Sequence, residues 1–105
     1  MATEELHAKR LYIVTEEELT PKSVDKIVRL VSNAFTGGSY LRQYRVDGHS
    51  IGYPDRAVHF PNAKVQDGIV SFGGSQNPYL SDWKNLPISE LEGLVKTLKA
   101  KVHLA

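Results

Sequence analysis

Apolar residues recur along this chain with two different periods, and the change from one to the other predicts its elements. Leu11-Tyr12-Ile13-Val14 is a short apolar run of β-branched and aromatic residues, closed by Glu16-Glu17-Glu18, and reads as a central strand. Val24, Ile27, Val28, Val31, Ala34 and Phe35 then follow at helical spacing. Thr20 precedes them as N-cap, Pro21 occupies the first helical position and Leu19 can staple to Val24 across the cap. Gly37-Gly38 supplies a left-handed stop, so the spacing predicts a helix over about residues 21 to 35.

Between Tyr40 and Phe72 the pattern becomes short extended pieces separated by turn residues. Asp47-Gly48 predicts a tight hairpin joining 40–46 to 49–53, and Asp67-Gly68 a second one joining 63–66 to 69–72, because both dipeptides tolerate the positive φ of a two-residue turn. Pro54-Asp55 and Pro61-Asn62 separate these from a short strand at 56–60. Residues 73 to 87 form a long connection. Ser89 with Glu92 makes a capping-box pattern, and Leu91, Leu94, Val95, Leu98 and Val102 form the stripe of a terminal helix. The predicted order is β-α-β-β-β-β-α: an α+β fold with a mainly antiparallel sheet and two helices on one face, leaving the other face for binding. Residues 1–9 read as a flexible N-terminal arm and 10–105 as a single α+β domain.

Composition changes this picture mostly by exclusion. There is no cysteine, which removes disulfides, thiolate metal sites and cysteine nucleophiles and makes the cytoplasm the simplest expected location. Thirteen basic against twelve acidic residues give a net charge of +1, so any affinity for an anionic partner requires a local patch. No run approaches the roughly 20 apolar residues of a membrane span, so no membrane partner is expected.

Candidate chemistry is sparse. Gly48-His49-Ser50-Ile51-Gly52 fits the G-x-S-x-G spelling of a nucleophile elbow, but that device needs a strand-to-helix turn, and Tyr53-Pro54-Asp55 follows where the helix would begin. His49 and His59 lack metal-ligand spacing and an evident acid or base partner, so neither metal, cofactor nor catalysis is expected.

The segment from Tyr40 to Phe60 is the most informative. Three of five tyrosines and three of five arginines fall there, against only Asp47 and Asp55. Tyr40, Arg42 and Tyr44 would share a strand face, and with Arg45, His49, Tyr53, Arg56 and His59 they make an aromatic and basic surface that stacks a ring and neutralises a phosphate. The expectation is a non-catalytic protein binding a nucleotide-like small molecule or nucleic acid. The alternative is a small regulatory or inhibitory protein that contacts a protein partner through Trp83 and Tyr79. Edge strands left by the meander point to a homodimer.

Overall fold

The computed structural model describes residues 9–72 and 83–105. β1 (Lys9–Thr15) is the pivot. It is followed by α1 (Pro21–Thr36), β2 (Arg45–Val46), a 3-10 turn at His49–Ile51, β3 (Ala57–Gln66), β4 (Ile69–Phe72), β5 (Leu86–Pro87), α2 (Ile88–Lys96) and β6 (Ala100–Leu104). The sheet order is β5-β4-β3-β1-β6, with β2 paired to β3, and every pairing is antiparallel. The mainly antiparallel α+β class and roughly the order read from the sequence are those observed. Among the described residues no helix is long and apolar enough to cross a membrane. The arm expected over 1–9 lies outside the described residues except for Lys9, which begins β1.

Successive side chains of a strand take opposite faces, and β1 uses both. Leu11 and Ile13 enter a core with Val58 and Phe60 of β3, Ile27, Val28, Val31 and Phe35 of α1, and Leu91 and Val95 of α2. Both helices therefore pack on one side of the sheet. Tyr12 and Val14 point the other way and cluster with Ala57, Ile51 and Tyr53.

The local punctuation of α1 works as its residues dictate. The Thr20 hydroxyl accepts from the Ser23 N–H at 3.1 Å, and Gly37 closes the helix at φ 76°, its N–H donating to the Asn33 carbonyl. Asp67 (φ 54°) and Gly68 (φ 75°) make the two-residue turn joining β3 to β4, since a turn that matches strand twist needs positive φ at both central positions.

Several expectations are corrected. Residues 40–44 form no strand, and Asp47-Gly48 is not a two-residue hairpin. β2 pairs instead with β3, and residues 47–56 form a longer loop in which the Gly48 carbonyl accepts from both Ile51 (3.2 Å) and Tyr53 (2.7 Å). The region predicted as strands over 56–60 and 63–66 is one strand. Pro61 does not end it; near this donor-less residue the β1 register slips, with Leu11 opposite Phe60 but Lys9 opposite Val65. Pro87, not Ser89, is the N-cap of α2, and no side chain caps that end.

The terminal helix stops at Lys96, and Lys99 at φ 56° turns the chain into β6. Leu98 and Val102 keep helical spacing, four apart, but from Ala100 onward the alternation is that of a strand: Ala100, Val102 and Leu104 pack toward the core.

Two substitutions test these turns in urea unfolding. A Cβ on Gly48 would lie 1.8 Å from the Tyr53 carbonyl oxygen, so Gly48→Ala should destabilise by about 1–3 kcal/mol or more. Lys99→Gly should stabilise by up to about 1 kcal/mol by relieving a left-handed lysine.

Candidate functional site

The face turned away from the helices carries one continuous row of side chains. Arg45 of β2 lies opposite His59 of β3, His59 opposite Tyr12 of β1, and Tyr12 opposite His103 of β6. Cross-strand partners share a face, so the four stand side by side across the sheet. The adjacent row on this face is Ala57, Val14 and Lys101. The 47–56 loop leans over that second row with Ile51 and Tyr53.

The ring geometry is close. Tyr12 stacks on His59 with centroids 4.5 Å apart and an angle of 18°, and meets His103 edge-on at 6.2 Å. Tyr53 also meets His103 edge-on, at 5.5 Å. Lys101 places its ammonium 5.0 Å from the centre of the Tyr53 ring, and donates to the Tyr53 hydroxyl at 3.2 Å.

Tyr12 is 0% and His59 7% exposed, yet among the described residues the Tyr12 hydroxyl and both His59 nitrogens have no hydrogen-bond partner. A buried polar group left in that state costs about 1–3 kcal/mol. Burial of the imidazole lowers the His59 pKa, Arg45 lowers it further, Asp47 opposes and Arg10 adds to the lowering. Both burial and the neighbouring arginines therefore disfavour the charged imidazole. Among the described residues the one side-chain ion pair is Asp25–Arg29, which lies elsewhere, and no described carboxylate pairs with Arg10 or Arg45.

The residues singled out in the sequence are dispersed. Arg45, Tyr53 and His59 come together on this face. Tyr40 and Tyr44 sit on the helix side: the Tyr40 hydroxyl donates to Asp25 Oδ1 of α1 at 3.2 Å and lies 3.4 Å from the Tyr44 hydroxyl. Those hydrogen bonds, with Tyr44 first, push the Tyr40 pKa up and keep the phenol neutral. The two rings border a cleft of about 720 Å³ whose charged lining is Glu18, Asp25 and Asp55. That lining repels a phosphate. Arg42 and Arg56 are exposed away from regular strands, and His49 is exposed in the 3-10 turn, so the expected common face of Tyr40, Arg42 and Tyr44 does not form.

Trp83 is half-buried and stacks on Phe72 at 5.8 Å against the core; Tyr79 lies outside the described residues. Tyr12, Lys101 and His103 were missed. The signal that would have found the last two is the period-two run Ala100-Lys101-Val102-His103-Leu104.

Two variants read the cost of this site. Tyr12→Phe should stabilise by roughly 1 kcal/mol, because the ring remains and the unpartnered hydroxyl goes. Because the folded His59 pKa lies below the ordinary 6.5, the unfolded chain binds the proton first as pH falls. Stability should therefore decline below about pH 6.5, and His59→Phe should flatten that part of the profile in pH-dependent thermal unfolding. The chain matches none of the protein-family models, curated proteins or solved structures with which it was compared.

Proposed function

We propose that the protein is a non-catalytic binding protein that takes an anionic, ring-bearing ligand, a nucleotide-like molecule or a stretch of nucleic acid, on the sheet face centred on His59. The observation that carries this reading is the row Arg45–His59–Tyr12–His103, which sets exposed Arg45 beside two packed rings on the face that also carries Arg10 and Lys101. Arg10, Arg45 and Lys101 neutralise phosphate. The half-buried rings of His103 and Tyr53 offer stacking surface beside the buried Tyr12–His59 pair.

Absence of chemistry in the neighbourhood of His59 supports binding over catalysis. A general base needs a proton to take and a partner that orients it, and neither His59 nitrogen touches a hydroxyl or a carboxylate. Capture is then electrostatic and steric. The earlier grouping around Tyr40 and Arg42 plays no part, since Tyr40 is engaged by Asp25 beside an acidic cleft.

Fluorescence titration with a nucleoside triphosphate and with a labelled oligothymidylate, each from about 50 to 200 mM salt, tests the reading. Arg45→Ala with Lys101→Ala should weaken binding roughly tenfold or more and reduce its salt dependence. Arg42→Ala should leave both unchanged. Equal affinity of the Arg45/Lys101 double variant and the parent for every ligand that binds would defeat the assignment.

A further inference from the structure

β6 is the last strand of the sheet, and its outer edge shows a pattern that fits itself. Arg10 and Ala105 exchange both backbone hydrogen bonds, at 2.8 and 3.2 Å. Antiparallel ladders alternate bonded and non-bonded pairs. The next bonded pairs inward are therefore Tyr12/His103 and Val14/Lys101, and the pairs between them, Leu11/Leu104, Ile13/Val102 and Thr15/Ala100, direct their β6 N–H and C=O groups outward. Among the described residues no strand pairs with that edge. The edge itself lacks several of the usual protections: β6 has no proline and no register shift in its pairing with β1, and its single lysine folds back onto Tyr53.

We infer that β6 pairs with β6 of a second copy of this chain, antiparallel and with Val102 on the two-fold axis. The register follows from the outward groups. Residues 100, 102 and 104 must face one another, which sets Val102 opposite Val102 and Ala100 opposite Leu104, small against large, with both backbone bonds in each pair. On the helix side the half-buried Ala100, Val102 and Leu104 of the two copies make one apolar strip continuous with each core. On the other side Lys101 meets His103 of the second copy. Such an axis stands perpendicular to the sheet, so both sets of helices share one side and both His59 faces the other.

The pairing has a consequence for the site, which rests on the function proposed above: it sets Lys101 of the second copy beside His103, adding a cation to the end of the row. Self-association itself is independent of that proposal, because it is measured without ligand.

Sedimentation equilibrium of the full chain over a broad concentration range tests the inference. The parent should be a dimer. Val102→Pro removes an N–H that points outward and so leaves the β1–β6 ladder intact; it should weaken the dimer by at least about a hundredfold while circular dichroism is unchanged. His103→Lys opposes lysines at two places on the axis and should weaken it roughly tenfold, a result that stands even if the proline variant misfolds, whereas His103→Glu should tighten it. A monomeric parent, or a dimer indifferent to both Val102→Pro and His103→Lys, overturns the inference.

Discussion

Everything in this molecule depends on β1 being buried on both faces at once. Its four central side chains are almost wholly sequestered, Leu11 and Ile13 beneath the helices and Tyr12 and Val14 beneath the loop side. Removal of each such side chain from water is worth about 1.5–3 kcal/mol, and the strand also carries backbone pairing along both of its edges, to β3 and β6. With β1 at the centre, the helices have a floor to pack on and the opposite face has a fixed spacing.

That fixed spacing converts scattered residues into a site. Histidines 59 and 103 are far apart in the chain and share a ring neighbour only because both strands take register from Tyr12. The arrangement works against stability, since an apolar ring in place of His59 or Tyr12 would leave no polar atom stranded. Burial of the imidazole lowers the His59 pKa, and positive charge at Arg45 and Arg10 works in the same direction against Asp47.

The loop over residues 47–56 links the two sides of the sheet. Gly48 lets the backbone fold back so tightly that Tyr53 reaches over β6, and the same loop carries Asp55 toward the acidic cleft on the helix side. Strand alternation then separates neighbours in sequence: Arg45 belongs to the His59 row, while Tyr44 and Val46 border the cleft beside α1. Adjacent residues thus serve surfaces of opposite charge. A net charge near zero conceals this division, because it averages a basic face against an acidic one.

What the sequence by itself determined is whatever a few consecutive residues decide: α1, with Thr20, Pro21 and Gly37 at its ends; the Asp67-Gly68 turn; the apolar run of β1; and from these the α+β class. Such features depend on φ preferences and on hydrogen bonds spanning three or four residues. The tertiary structure decided the rest. Ala100–Leu104 is a strand because β1 offers it an edge, although Leu98 and Val102 keep helical spacing and a lysine, not a glycine, makes the turn before it. The tyrosines and arginines between 40 and 60 were legible as a group but not as a surface, because which side of a sheet a residue takes is set by pairing with strands distant in the chain, and one residue of register reverses it.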